Sequence, residues 1–187
     1  MKMYQLIEWF QIHYPKMHQD LLLCNHNFDE KVLNPYHLES DCWSHTMMVC
    51  KIAELSAYDK VVQIAALLHD IGKPASRKIN PHNNHVQFFG HEALSAKMAI
   101  AVLEQMKSEK LINEEETQEI LKLIEHHAFM HKNEDLSVLV EYFEGDISFC
   151  IHLIELSRCD NFGRFCVDMS SNKKYDDWLG KLKPYQY

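Results

Sequence analysis

Histidine and aspartate recur in this sequence where an apolar, helix-like segment ends or meets a loop. Of the 187 residues, 13 are histidine, which is the commonest metal ligand in proteins and a proton carrier near neutral pH. The His–Asp pair that ends the apolar run VVQIAALL offers one nitrogen and one oxygen donor to the same ion. The positions that predict a metal centre are His45, His69, Asp70, His91, His126 or His127, and Asp160.

Asp160 is the clearest single signal, because it continues an apolar stripe with Leu153 and Leu156. An ionised carboxylate on a buried face is costly unless a cation or a metal ion pairs with it. Arg158 is an alternative partner for this carboxylate, and each histidine alone is compatible with a hydrogen-bonded role in a protein core. Imidazole and carboxylate donors without thiolate favour Mn²⁺, Fe²⁺, Ni²⁺, Co²⁺ or Mg²⁺ over a structural zinc site.

Helices must position these residues. The chain has 5 glycines and 5 prolines, so breaks are few, and apolar residues recur at helical spacing over long stretches. The predicted helices cover about 3–14, 43–58, 60–68, 91–108, 113–130, 135–143, 146–161 and 171–180, and the longest irregular segments cover 24–42 and 73–90.

N-cap signals mark several of the predicted helix starts. Asp41, Asp59, Asn113 and Asp146 each precede such a segment, and Glu116 completes a capping box with Asn113. No segment shows the alternation of β-branched residues that indicates a strand. The sequence therefore predicts a single all-α domain over residues 1–187, a bundle of about seven to eight helices.

Composition limits the classes of function. The net charge of −8 and the pI of about 5.9 argue against bulk DNA binding and against binding to anionic membranes. No apolar run reaches the roughly 18 residues of a membrane span, and the N-terminal residues offer no signal-peptide core, so we expect a cytoplasmic protein. The 6 cysteines form no CxxC pair and are expected to be buried free thiols. The oligomeric state stays open.

Four spaced motifs carry a family resemblance. The segments AALLHDIGKP (65–74), FFGHE (88–92), IEHHAFMH (124–131) and CDNFGR (159–164) follow His45 in the order H…HD…D. They resemble the HD superfamily of metal-dependent phosphohydrolases, and in particular the HD domain of bacterial tRNA nucleotidyltransferases. The resemblance covers about residues 40–165, with an N-terminal helical extension over 1–40 and a C-terminal helix and tail over 166–187.

The resemblance implies a centre that holds one or two divalent ions. The ligands it implies are His45, His69, Asp70 and Asp160 for the first ion, and His91, a bridging Asp70 and one of His126 and His127 for the second. Helical periodicity does not choose between the two neighbouring histidines, whereas the family motif, EH followed by a later H, favours His126 as the ligand. The same motif leaves His131 as a contact to the phosphate of the substrate.

The resemblance also implies hydrolysis of a phosphomonoester or a 2′,3′-cyclic phosphodiester on a nucleotide or an RNA end. Metal-activated water is the expected nucleophile, and Asp70, Lys73 and Arg164 are the expected catalytic residues. The cationic side chains of Lys73 and Arg164 are also expected to bind the phosphate. His82 and His85 are weaker candidates for protonating the leaving group.

Other functions of the protein that involve a small phosphorylated ligand remain open at this point. The alternatives are hydrolysis of a nucleoside 5′-monophosphate or a dinucleoside polyphosphate, and a catalytically idle HD module that binds a nucleotide. The printed sequence contains no GS…DxD-type polymerase motif, so CCA addition is not expected.

Overall fold

The computed structural model describes residues 1–28, 34, 37–132, 135–165 and 173–185, apart from the side chains of residues 131 and 132. Within these ranges the chain forms nine helices of seven or more residues, two single-turn helices, one short hairpin and a final 3₁₀ turn. The helices are α1 (Met3–His13), α2 (Pro15–Leu23), α3 (Cys42–Leu55), α4 (Lys60–Leu68), α5 (Lys73–Ser76), α6 (His91–Ser108), α7 (Glu114–His126), α8 (Phe129–Lys132), α9 (Leu136–Tyr142), α10 (Ile147–Phe162) and α11 (Lys173–Leu182).

The predicted caps start four of these helices. The Asp41 side chain accepts a hydrogen bond from the backbone N–H of Ser44 at 2.8 Å, and Asp59 and Asp146 cap α4 and α10 in the same manner. Asn113 and Glu116 form the expected capping box at the start of α7. The all-α class is confirmed, and these local signals explain why the helices begin where they do.

Helix α4 lies at the centre of the bundle. Seven of its nine residues are buried, and it packs against α3, α7 and α10. The continuous apolar run that forms α4 is therefore explained by contact on nearly all sides of the helix. This packing brings the end of α4, and the His69–Asp70 pair that follows it, into the interior where four helices meet.

Three segments differ from the sequence prediction. The helix predicted over 113–130 is divided into α7, which ends at His126, and α8. Pro15 ends α1 as expected but also begins α2, since a proline in the first turn of a helix lacks only an N–H that has no partner there. Residues 73–90, predicted as an irregular loop, contain α5 and an antiparallel hairpin of β1 (Lys78–Ile79) and β2 (Val86–Gln87). Strands of two residues are too short to produce the alternation by which strands are recognised.

The described cysteines are buried free thiols, as expected: Cys24, Cys42, Cys50, Cys150 and Cys159. Cys166 lies outside the described residues. Within the described part of the chain, no helix combines the length and the apolar character that crossing a bilayer requires.

Candidate metal centre

Three histidines turn the same ring nitrogen toward a common centre. The Nδ1 atoms of His69, His91 and His127 lie 2.8, 2.8 and 2.7 Å from the backbone carbonyl oxygen three residues earlier. A carbonyl oxygen can only accept, so each ring donates Nδ1–H and directs its Nε2 atom to the centre. His69 and His127 occupy equivalent positions, because each directly follows a helix and has φ −57° and ψ −31°.

Asp70 lies between two pairs of histidines. Its Oδ2 atom is 3.2 Å from Nε2 of His69 and 3.5 Å from Nε2 of His45. Its Oδ1 atom is 3.3 Å from Nε2 of His91 and 3.9 Å from Nε2 of His127. The two Nε2 atoms within each pair are 3.4 and 3.2 Å apart. Each carboxylate oxygen therefore faces its own pair of imidazole nitrogens.

Asp160, on α10, adds a second carboxylate on the side of His45. Its Oδ1 atom lies 3.0 Å from Nε2 of His45 and 3.9 Å from Nε2 of His69. Arg158, the alternative partner considered from sequence, instead pairs with Asp176 at 2.8 Å. That alternative is wrong, because the Arg158 side chain points to α11 and Asp160 points into the histidine cluster.

Close packing at Gly72 holds the two halves of the centre together. A Cβ atom at this position would lie 2.6 Å from the backbone N of Ser95 and 2.8 Å from the carbonyl oxygen of His91. The Gly72 N–H donates to the Ser95 hydroxyl at 2.9 Å. Only glycine permits this approach, which places the turn after Asp70 directly against the first turn of α6.

Lys73 is an ion-pair partner of the central carboxylate. Its Nζ atom lies 2.6 Å from Oδ2 of Asp70, and its side chain is 7% exposed. Burial would raise the pKa of Asp70, but His69 and Lys73 hold it well below its ordinary value. Burial would likewise lower the pKa of Lys73, yet Asp70 raises it above its usual range. Both groups are therefore charged at neutral pH.

His45 and His127, one from each pair, have pKa values shifted in opposite directions. Burial, together with the neighbouring His69 and His91, lowers the pKa of His127 to about 3, so its imidazole is neutral at neutral pH. Burial would also lower the pKa of His45, but hydrogen bonding to Asp160 and Glu39 raises it to about 9. An ion that binds at His45 must therefore displace a proton.

The donor set fits divalent ions. Both oxygens of Asp70 are buried and accept no hydrogen bond of good geometry from the described residues, although the Lys73 ammonium lies close to Oδ2. Among the described residues, His45, His69 and Asp70 form one group whose ligand atoms all lie within 4.8 Å of one another, and Asp70, His91 and His127 form another. Nitrogen and oxygen donors of this kind suit Mn²⁺, Fe²⁺, Co²⁺, Ni²⁺ and, less well, Mg²⁺.

A cavity of about 490 Å³ opens directly onto these ligands. Asp70, His91 and His127 contribute to its lining, and so do the cations Lys73 and Arg164. Arg164 donates from Nη2 to the side-chain oxygen of Asn161, while its buried Nε has no hydrogen-bond partner among the described residues. The cavity thus combines a buried acidic and imidazole floor with two cationic side chains.

Comparison with protein families identifies this arrangement. The profile of the HD domain matches residues 42–163. The chain belongs to the HD-domain family. HD domains form a superfamily of metal-dependent phosphohydrolases, and the ligand groups of this HD domain agree with that chemistry.

Curated relatives match part of this HD domain. The chain is 41% identical over 76 residues to the Multifunctional CCA protein of Azoarcus sp. (strain BH72), which is 39% of the chain and 17% of the relative. It is 33% identical over 79 residues to the protein of the same name from Hahella chejuensis, which is 42% of the chain and 18% of the relative. The chain thus matches less than a fifth of the length of these relatives.

The prediction of His126 as the ligand is wrong, because His127 is the histidine that points into the candidate metal centre. The His126 ring lies on the other side of the helix end, 5.2 Å from the Phe143 ring and 5.9 Å from the Tyr142 ring. The helix contains a signal that favours His127: its buried residues at 120, 123 and 124 continue with helical spacing to position 127.

The other candidate residues fall into three groups. His45, His69, Asp70, His91 and Asp160 are brought together, and Lys73 and Arg164 share the cavity beside them. His82 and His85 are exposed on the hairpin and are not among the described residues that line this cavity. The side chain of His131 lies outside the described part of the chain.

Glu39, which contacts His45, was missed because no motif contains it.

Proposed function

We propose that the protein hydrolyses a phosphomonoester or a 2′,3′-cyclic phosphodiester of a nucleotide or an RNA end in the cavity above Asp70. The observation that carries this proposal is the placement of Asp70, whose two oxygens face separate pairs of histidine nitrogens. Two cationic side chains share the same cavity. This combination suits a phosphoryl group, which needs its negative charge neutralised while water attacks phosphorus.

The residues named above would hold two divalent ions, His45, His69, Asp70 and Asp160 one of them, and Asp70, His91 and His127 the other. Such ions supply Lewis-acid stabilisation of phosphoryl oxygens and acidify water. The protein itself keeps the ligands oriented through the Nδ1–H bonds of His69, His91 and His127 to backbone carbonyls. These bonds leave the rings no rotation to undergo on loading, so the centre is preorganised.

Lys73 and Arg164 bind the phosphoryl group in this proposal. Lys73 lies next to Asp70, so its ammonium can neutralise the carboxylate before loading and a phosphoryl oxygen afterwards. The guanidinium of Arg164 is oriented by Asn161, and its buried Nε–H has no hydrogen-bond partner among the described residues. Guanidinium groups pair with phosphate through two parallel hydrogen bonds, which favours Arg164 as the orienting cation.

An aromatic rim supports a nucleotide as the substrate. Phe89 lines the cavity and is 76% exposed, whereas the adjacent Phe88 packs inward beneath Lys73. An exposed aromatic ring beside a phosphate site offers a surface on which a nucleobase can stack. The relatives carry CCA, a nucleotide sequence, in their name, which also favours an RNA or nucleotide substrate.

A metal-by-substrate screen tests the proposal. Chelator-treated protein is reloaded with Mn²⁺, Co²⁺, Ni²⁺, Fe²⁺ or Mg²⁺ and assayed against 2′,3′-cyclic nucleotides, nucleoside 2′- and 5′-monophosphates, dinucleoside polyphosphates and β-glycerophosphate. We expect hydrolysis of the 2′,3′-cyclic or 2′-phosphate esters that needs an added ion and is lost in Asp70→Asn. Nucleotide binding without turnover under every ion would contradict the proposal and favour the idle module.

Phe89→Ala tests the nucleotide part of the proposal. Loss of stacking worth about 1–3 kcal/mol should lower kcat/KM for the nucleotide substrate by roughly 5- to 150-fold, while activity on β-glycerophosphate stays unchanged. Tyr4→Ala is the control, because Tyr4 is a 58% exposed aromatic residue on α1. An equal loss on both substrates in Phe89→Ala would mean that the ring supports the loop rather than the base.

A further inference from the structure

Glu39 is a buried carboxylate that contacts the metal centre from outside the matched HD domain. It lies three residues before the segment that the family profile covers, and it is 6% exposed. Its Oε1 atom lies 2.6 Å from Nδ1 of His37 and 3.2 Å from Nδ1 of His45. Its Oε2 atom accepts a hydrogen bond from the backbone N–H of Phe165 at 3.0 Å. Two N–H donors, from His37 and Phe165, thus hydrogen-bond to this buried carboxylate, and Nδ1 of His45 lies within ion-pair distance of it without a hydrogen bond of good geometry to any described residue.

Glu39 does not itself act as a metal ligand in this geometry. Its neighbours His26 and His37 complete a third group of donor atoms within 4.8 Å of one another. However, the two rings stack face to face, with centroids 4.4 Å apart and planes at 9°. The lone pairs of parallel rings run side by side and do not converge on one ion. The group is therefore a hydrogen-bonded network behind His45.

Nδ1 of His45 makes no hydrogen bond to a carbonyl oxygen of its own helix. The other three histidines donate Nδ1–H to a backbone carbonyl beside a helix end, but His45 lies within the first turn of α3. The carbonyl oxygens of Asp41 and Cys42, one turn before it, already accept from the backbone N–H of His45 and from the Thr46 hydroxyl. Glu39 offers an acceptor to this atom, because its Oε1 lies 3.2 Å from Nδ1 of His45.

We propose that Glu39 is a positioning residue that fixes the tautomer and orientation of His45 for the ion held by His45, His69, Asp70 and Asp160. This inference rests on the proposed metal centre. Donation of Nδ1–H to Glu39 leaves Nε2 as the coordinating atom and makes the imidazole a stronger electron donor. Through the Phe165 N–H, the same carboxylate ties His45 to the backbone that follows Arg164.

Metal affinity measures this role without any assay of catalysis. In chelator-treated protein titrated with Mn²⁺ by calorimetry, Glu39→Gln should weaken one class of site by about 10- to 100-fold, as outer carboxylates on metal-bound histidines do. The site formed by Asp70, His91 and His127 should keep its affinity. Glu54→Gln is the matched control, because it removes a carboxylate on α3, the helix that carries His45, where Glu54 pairs with Lys51 on the surface.

A double-mutant cycle separates positioning from a general effect of negative charge. If Glu39 acts through His45, Glu39→Gln in a His45→Ala background should change Mn²⁺ affinity by less than about twofold. The same loss in both backgrounds would overturn the proposal, and so would a Glu39→Gln protein with wild-type affinity. Circular dichroism of each apo variant verifies the fold, and Glu39→Asp, which keeps the charge, should retain more affinity than Glu39→Gln.

Failure of this inference is distinguishable from failure of the proposed function. A wild-type protein that binds Mn²⁺ but hydrolyses no phosphate ester contradicts the proposed function, while the affinity cycle still decides the role of Glu39. A wild-type protein that binds no divalent ion overturns both.

Discussion

Lys73→Met removes the charge that compensates the central carboxylate while nearly keeping the length of the side chain. The Lys73 ammonium lies 2.6 Å from Oδ2 of Asp70, and Asp70 is fully buried. The Lys73 ammonium also lies 3.5 Å from Nε2 of His26 and 5.4 Å from the centroid of the Phe88 ring. The cation–π contact with Phe88 is lost together with the charge, but at about 0.5–2 kcal/mol it is weaker than a buried ion pair. The substitution therefore acts mainly on Asp70, which loses its ammonium partner.

The expected loss of stability is large. Two unit charges at the 2.6 Å separation of this pair attract by about 6 kcal/mol at an effective dielectric constant of about 20. Part of this gain is offset by desolvation, and removal of one partner from a buried pair costs about 3–5 kcal/mol. For a chain of this size, about 2–4 °C per kcal/mol converts that loss into a Tm decrease of roughly 6–20 °C.

The same substitution should make the protein more dependent on metal. A divalent ion at Asp70 supplies the positive charge that Lys73→Met has removed, so added Mn²⁺ should raise the Tm of the variant more than that of the wild type. Thermal unfolding is followed by circular dichroism in chelator and at increasing Mn²⁺. Lys78→Met is the control, because Lys78 is exposed on the hairpin and should shift stability by no more than about 0.5 kcal/mol.

Two results would refute this reasoning. A chelator-treated Lys73→Met protein that unfolds at the wild-type temperature would mean that Lys73 does not compensate Asp70. A destabilised variant that Mn²⁺ fails to restore would mean that the ion does not bind at Asp70.

Two further predictions concern the second histidine pair and a distant ion pair. His127→Ala should lose about one equivalent of metal by elemental analysis, because one of the two ligand groups loses an imidazole, while His126→Ala keeps the wild-type content; equal metal in both would contradict the assignment of His127. Burial would lower the pKa of His152, but the carboxylate of Glu119, 2.6 Å away, raises it above the ordinary value of 6.5. The His152–Glu119 pair should therefore stabilise the fold fully below about pH 6.5 and lose this effect as pH rises through the folded-state pKa of His152. His152→Gln should therefore cost up to about 1 kcal/mol in urea unfolding at pH 6 and little at pH 9, and an equal cost at both pH values would refute the assigned protonation.

Helix starts were predictable because they depend on residues close together in the chain. The capping side chains of Asp41, Asp59, Asn113 and Asp146 reach N–H groups only two or three residues ahead, so sequence alone contains the relevant geometry. The hairpin at Lys78–Ile79 and Val86–Gln87 has no comparable signal. Its pairing joins residues across a turn, with two residues in each strand.

The contact between Lys73 and Asp70 shows where sequence reasoning about charge fails. Lys73 lies between the end of the apolar helix α4 and Pro74, where an ammonium is equally compatible with solvent or with the site. The structure buries Lys73 because residues 64–73 are enclosed by neighbouring helices without interruption. Because Lys73 follows Asp70 by three residues, its ammonium then lies beside the Asp70 carboxylate. Burial of the whole segment, which depends on long-range packing, decides the role of this cation.

Helix ends explain which histidines serve the centre and which do not. The last turn of a helix leaves carbonyl oxygens without N–H partners, and the first residue after the helix can direct Nδ1 back to one of them. His69 and His127 both occupy that position, with the same backbone conformation, whereas His126 is still inside α7 and faces the rings of Tyr142 and Phe143. The position of a histidine relative to the helix end therefore predicts its tautomer as well as its direction. His45 lies in the first turn of α3 instead, and the group that faces its Nδ1 at 3.2 Å comes from outside the helix, which is why Glu39 could be found only in the folded structure.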